Sequence, residues 1–466
     1  MKSGISRLEV ITALHIGFLG VLSTWTLGGG ASYAAKALSI TGSIAPLILF
    51  ATLYERRATD HLPRSLLLSL WALVGFNVLV LLGTLQPSLR VATIEGGTVY
   101  VPRADLSLWP SSARPELALK GLWLFDAIVL SCFNVLVAIR HKRTLRALLL
   151  VLAANALLLA VFGSVQKLSS ATGLFFGRIA SPNSSFFASF IYHNHWGAFA
   201  VLMLAVCLGL LFSLRPWSGY RDFWHSPALA TVVAVFFLTV TIPLSGSRSC
   251  SALAVLLLTF ALIHGFRRVA RHQHECGKST TAATVALFLT AAVASGFLFV
   301  LARHNIEARM ADSQEQFAHM RAEGSIGARA QLYRDTWHMA CDRPWFGWGL
   351  GSYGTVFMRY NTQVSPADKL PVYYEDAHSD WLQLFAETGA IGISLFAFFL
   401  LLPLIQLDRF RQISGLPRYL FAGCGLILAY AWLEFPFGNP AVTLTFWTCY
   451  FCAIRWAQLE RHEHLN

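Results

Sequence analysis

Apolar runs of similar length, separated by short polar segments, recur along the whole chain. They fall at residues 9–27, 37–54, 65–86, 117–139, 145–167, 190–213, 227–244, 249–266, 280–301, 389–407, 417–435 and 440–457. Each lies near the ~20 residues that a helix needs to cross ~30 Å of hydrocarbon. The pattern predicts an all-α polytopic membrane protein with about 12 transmembrane helices. Its first apolar run, after Lys2 and Arg7, is long for a signal-peptide h-region and reads as a retained span.

One interval breaks the rhythm. The chain divides into 1–301 with spans 1–9, a large hydrophilic loop over 302–388, and 389–466 with spans 10–12 and a tail. The loop is no linker: GSIGARAQLYRDTWHMACDRP has the texture of a helix, and Pro344 ends it. WFGWGLGSYG then supplies glycines and aromatics for tight turns. A second polar stretch, Pro87 to Glu116, is punctuated by prolines and holds Trp109.

Composition agrees with the pattern. The chain is 55% hydrophobic and only 13% charged, where a soluble domain carries roughly 25%. Its net charge of +12 is mostly topology. Twenty of the 36 Lys and Arg lie on one set of alternate segments, among them Arg56, Arg57, Arg64, Arg140, Arg143 and Arg267. The excess predicts cytoplasmic termini and places the large loop on the opposite side, facing the periplasm or the cell exterior. Nucleic acid thus drops out as a partner, and membrane lipid remains. The eight cysteines are scattered without a CxxC pair, so neither a disulfide framework nor a zinc site is expected.

Candidate chemistry is sparse, and every motif has a plain structural alternative. Gly349 to Gly354 matches GxGxxG, but no strand precedes it and no βαβ unit surrounds it, so it reads as a turn. His193 and His195 stand two apart, roughly 200° around a helix, and cannot grip one metal from one face. No cofactor and no metal are expected. His193, Asn194 and His195 either line a wet cavity or bond neighbouring helices. Arg248, within SGSRS between spans seven and eight, either snorkels or binds an anion, with Ser247 and Ser249 as further donors. Arg329 opens the loop helix. His378 lies between Asp376 and Asp380, acids that can orient it, and is expected in the first turn of a helix capped by Asp376 or Ser379. Histidine is the side chain suited to exchange a proton near neutral pH. Among the buried polar residues Asn77, Asp126, Asn134, Asn155 and Glu434, inter-helix hydrogen bonding is expected, with Glu434 the one to watch.

In order along the chain, FIYHNHWGAFAVLML, SGSRS, GARAQLYRDTWHMACDRPWFGWGLGSYG and AHSDWLQLFAETGAIG resemble the O-antigen ligase and O-antigen polymerase superfamily, over about residues 180–400. The resemblance implies a multi-spanning glycosyltransferase of class C type in the bacterial inner membrane. Such an enzyme is a metal-independent, inverting transferase whose glycan donor is carried on isoprenyl (undecaprenyl) diphosphate at the periplasmic face. It implies that Arg248 and Arg329 hold the diphosphate, that His378 is base or acceptor-positioning group, and that Asn194 matches the family's asparagine. The family often has asparagine after the histidine, where this chain has Ser379. The acceptor, a further glycan repeat or lipid A-core, is left open between polymerase and ligase, with the Ser379 departure leaning to polymerase. Two other classes compete. A transporter or flippase of lipid-linked glycans would show internal repeats and broken helices. A scaffold would scatter Arg248, Arg329 and His378.

Overall fold

The computed structural model describes residues 4–57, 62–94, 97–103, 108–183, 185–213, 227–275, 285, 326–364, 370–407 and 415–465. Most of the expected ninth span and the first part of the large loop lie outside these. The helices are α1 (Arg7–Trp25), α2 (Ser32–Gly42), α3 (Ala45–Arg57), α4 (Arg64–Thr84), α5 (Pro115–Ala138), α6 (Lys142–Leu168), α7 (His193–Ser213), α8 (Pro227–Ser245), α9 (Arg248–Glu275), α10 (Ile326–Cys341), α11 (Asp380–Leu401), α12 (Gly415–Tyr430) and α13 (Pro440–Leu465). Among the described residues, nine helical stretches are long and apolar enough to cross a membrane, α2 and α3 counting as one. The chain is an all-α polytopic membrane protein.

The described helices of the bundle overlap the apolar runs, the second run being split between α2 and α3, and three further differences stand out. α11 begins at Asp380, nine residues before the expected span. α12 stops at Tyr430, because residues 431–439 turn back across the end of the bundle. There Asn439 caps α13, its Oδ1 accepting from the amides of Ala441 at 3.1 Å and Val442 at 3.2 Å. The proline-punctuated stretch contains an antiparallel hairpin, Leu89–Ile94 paired with Gly97–Pro102, which the span pattern did not anticipate.

α7 is apolar all round and buried along most of its length, as a central helix must be. It packs against α8, α9 and α12, while α13 lies against α5 and α7. Three of the polar residues marked within the apolar runs make hydrogen bonds between helices, as a low-dielectric interior favours. Asn77 donates to Asp126 at 3.0 Å, Asn134 to the Ala45 carbonyl at 3.0 Å, and Asn155 accepts from Trp25 at 2.8 Å.

The bundle has two distinct ends. One is basic: Glu9 accepts from His141, Lys142 pairs with Glu463 at 2.6 Å, and Arg455 donates to the Ile139 carbonyl at 2.6 Å. The other gathers the hairpin, α10, the glycine-rich segment and the 431–439 turn. Its own small core holds Ala113, Leu332, Met339, Trp348, Phe357 and Ala386.

A break in α11 docks that end to the bundle. Gly389 has φ +65° and interrupts the helix. In a continuous helix the amides of Ala390 and Ile391 would bond the carbonyls of Ala386 and Glu387. Here the WFGWG segment enters the gap instead. Trp348 N–H donates to Ala386 O at 3.0 Å and Gly349 N–H to Glu387 O at 2.8 Å. Ala390 N–H donates to Pro344 O at 2.8 Å and Ile391 N–H to Trp345 O at 3.1 Å. Four bonds replace two, so the carbonyls of Ala386 and Glu387 and the amides of Ala390 and Ile391 all keep partners at the break. A Cβ on Gly389 would run into the Trp345 carbonyl, and one on Gly347 into that of Glu387. The GxGxxG match is thus part of a structural joint.

Candidate active site

Three segments distant in sequence meet at one carboxylate. Glu434 lies in the turn after α12, and its side chain is 4% exposed. Its Oε1 accepts from Arg329 Nη2 at 2.6 Å, and its Oε2 lies 3.4 Å from His378 Nδ1. Arg329 comes from the first turns of α10, and its side chain stays 56% exposed. Burial alone pushes the Glu434 carboxyl up. The hydrogen bond to His378 and the charge of Arg329 outweigh burial and hold it below the usual carboxylate range.

His378 is held just outside α11. Ser379 is the N-cap, accepting from Leu382 N at 3.4 Å, so the imidazole precedes the helix rather than standing in its first turn. The reason is local: Ser379 has extended φ/ψ, while His378 takes φ +50°, a left-handed conformation that side-chain-bearing residues rarely adopt. Such a conformation costs about 1–3 kcal/mol and persists only where the surroundings dictate it. The Tyr333 hydroxyl provides one constraint, donating to the His378 carbonyl at 2.9 Å. Phe435 provides another, its ring 4.9 Å from the imidazole and nearly perpendicular.

The expected orienting acids do other work. Asp380 accepts from the Phe437 amide at 2.9 Å, pinning the 431–439 turn to the start of α11. Asp376 bonds Gln383, and burial followed by the neighbouring Glu375 pushes its carboxyl up. Glu434 is the acid at the imidazole.

A second strand of contacts runs from Phe435 toward α9. Tyr192 stacks on Phe435 at 5.6 Å and 12°. Its hydroxyl accepts from Asn194 Nδ2 at 2.7 Å, and Asn194 Oδ1 accepts from the buried Ser247 hydroxyl at 2.6 Å. Cys250 Sγ donates to the Asn194 carbonyl at 3.7 Å. His195 Nε2 donates to the Phe435 carbonyl at 3.2 Å, and the His193 ring packs 4.8 Å from Tyr192. Arg248 and Ser249 are exposed at the start of α9, next in sequence to Ser247. Among the described residues the Arg248 guanidinium has no hydrogen-bond or ion-pair partner.

The structure therefore brings Arg329 and His378 onto one carboxylate. It ties His195, Asn194 and Ser247 to the same place through Tyr192 and Phe435. Arg248 and Ser249 flank this network, and Asp376 and Asp380 frame the histidine. Sequence reasoning marked Glu434 as a residue to watch without assigning it to the site. It passed over Tyr192, Tyr333 and Phe435, although YHNH and EFPF each put an aromatic beside a flagged residue.

Residues 233–397 match the family model described as O-Antigen ligase. The matched segment includes Arg248, Arg329 and His378 and ends before Glu434; Tyr192 and Asn194 precede it. No curated protein matches the chain.

Proposed function

Because this chain belongs to the O-antigen ligase and polymerase superfamily, with the role in polysaccharide assembly that this family implies, we propose that it transfers a glycan from an isoprenyl diphosphate carrier to an acceptor hydroxyl. The observation that carries the reading is the carboxylate shared by Arg329 and His378. A scaffold has no need to assemble a cation, an imidazole and a buried acid from segments up to 105 residues apart. The break in α11 also differs from those of transporters, because loop backbone fills it instead of leaving polar groups open to a cargo.

The chemistry follows from the geometry. An imidazole whose Nδ1–H is held by Glu434 presents the lone pair of Nε2. The acceptor oxygen attacks the anomeric carbon as the bond from that carbon to the phosphate oxygen breaks, with inversion. The acceptor's proton passes to Nε2, and Glu434 stabilises the imidazolium formed. The departing isoprenyl diphosphate gains negative charge, which Arg329 and the exposed Arg248 are suited to meet. In this proposal those two guanidinium groups carry the charge stabilisation without a metal, and the site faces the periplasm of the bacterial inner membrane.

The experiment is a product gel from purified protein in lipid, supplied with undecaprenyl-diphosphate oligosaccharide, with and without lipid A-core. A ladder formed without added acceptor identifies a polymerase, and a single conjugate requiring lipid A-core a ligase. His378→Ala removes a general base and is expected to lower transfer about 1,000-fold. Full transfer by His378→Ala would remove that role, and no product from any donor would turn the reading toward transport.

A further inference from the structure

Tyr192 is a side chain whose placement is over-determined for an ordinary surface residue. Its ring is stacked on Phe435 and bordered edge-on by His193 at 4.8 Å and His195 at 5.1 Å. Its carbonyl accepts from His195 N at 3.1 Å and Trp196 N at 3.3 Å, anchoring the residue to the start of α7. Yet the side chain is only half-buried.

The hydroxyl is oriented as well. Ser247 donates to Asn194 Oδ1, which turns the amide nitrogen toward Tyr192. That N–H occupies an acceptor position on the phenol oxygen and leaves the phenol's own proton to be donated. Among the described residues no protein acceptor takes it. The charges of Glu434 and Arg329 both act on this hydroxyl, so it belongs to the field around His378. Phe435 touches both rings and joins the two groups physically.

A donor held in place, with no acceptor of its own among the described residues and within the field of Arg329, suits a phosphate oxygen. We propose that the Tyr192 hydroxyl is a third hydrogen-bond donor to the carrier diphosphate, aimed by the Ser247–Asn194 relay. This rests on the lipid-diphosphate reading above. The relay also gives SGSRS a double use: Arg248 faces the anion directly, while Ser247 acts through Asn194 and Tyr192.

The test uses full-length protein in lipid vesicles, with undecaprenyl diphosphate as the binding probe and undecaprenyl-diphosphate oligosaccharide as donor. Tyr192→Phe deletes one oxygen and keeps the stack. It is expected to melt like the parent, bind the probe about tenfold more weakly, and lose about 100-fold in kcat/KM. Ser247→Ala is expected to show the same changes in milder form, because Asn194 loses its orientation. Tyr192→Phe that binds and transfers like the parent, in a parent that does both, would overturn the tyrosine's role alone. A parent protein that neither binds undecaprenyl diphosphate nor transfers would overturn both readings.

Discussion

Glu387 and Glu434 lie at the same end of the bundle and are almost equally hidden from solvent, at 4% and 3% exposure. Their surroundings differ in kind. Glu387 has both oxygens on backbone amides, Gly351 N–H at 2.9 Å and Tyr353 N–H at 3.0 Å. These donors belong to the chain itself and cannot leave. Glu434 faces two ionisable side chains, one of them more than half exposed. A carboxylate satisfied by main chain holds the glycine-rich segment in one shape. One satisfied by a half-exposed arginine and a histidine has partners that an anion can compete for. The comparison separates an acid held by main chain from one held by ionisable side chains, which burial alone does not.

The strongest blow to the structural side is Gly389→Ala. The left-handed φ and the Trp345 carbonyl both oppose a side chain there, and the obstacle is backbone that cannot rotate away. The substitution is expected to cost about 3–4 kcal/mol, read as a lower melting temperature and a loss of monodisperse protein. If Gly389→Ala folds normally, the joint in α11 is not what holds the loop.

Glu434→Gln tests the other side. The amide retains an acceptor for Arg329 but loses the charge that stabilises an imidazolium, so kcat is expected to fall about 100-fold. The melting temperature should move little, because the arginine partner is solvated. A variant with full activity and a large loss of stability would reverse the assignment.

Glu387→Gln is the mirror experiment. Two backbone donors then face an amide with one oxygen and an NH2 group, leaving one buried N–H opposed. The expected cost is about 1–3 kcal/mol of stability, with kcat per folded molecule near that of the parent. Equal losses of activity and stability in both glutamine variants would erase the distinction.

These residues also show where sequence reasoning stops. The spans were legible because ~20 apolar residues leave few alternatives in water or lipid. The start of α11 was half legible: Ser379 followed by Asp380 and Trp381 is an N-cap signal, and it stood among the choices. The helix was nevertheless expected to contain His378, because a left-handed residue before a cap leaves no mark in composition. The hairpin was hidden among prolines, although RVATI and TVYV carry the β-branched residues of strands. Arg329 and Glu434 are 105 residues apart, and local pattern has no means of pairing them. Glu434 stood out only as an acid in an apolar run. That pointed to importance but not to its partner.

Ser379 provides the smallest effect and the clearest argument. The family often has asparagine at this position, and the serine here suggested a leaning toward polymerase over ligase. In the structure Ser379 is 2% exposed, and its hydroxyl caps α11 at Leu382 N. Serine and asparagine are near-equal N-caps, both worth about 1 kcal/mol over alanine. The capping role thus gives the exchange between them a structural reason that does not involve the acceptor. Ser379→Asn is expected to keep activity within about twofold and to leave the product pattern on the gel unchanged. Ser379→Ala should lose about 1 kcal/mol of stability. Should Ser379→Asn instead convert a ladder into a single conjugate, the residue touches the acceptor, and the cap is only half of what it does.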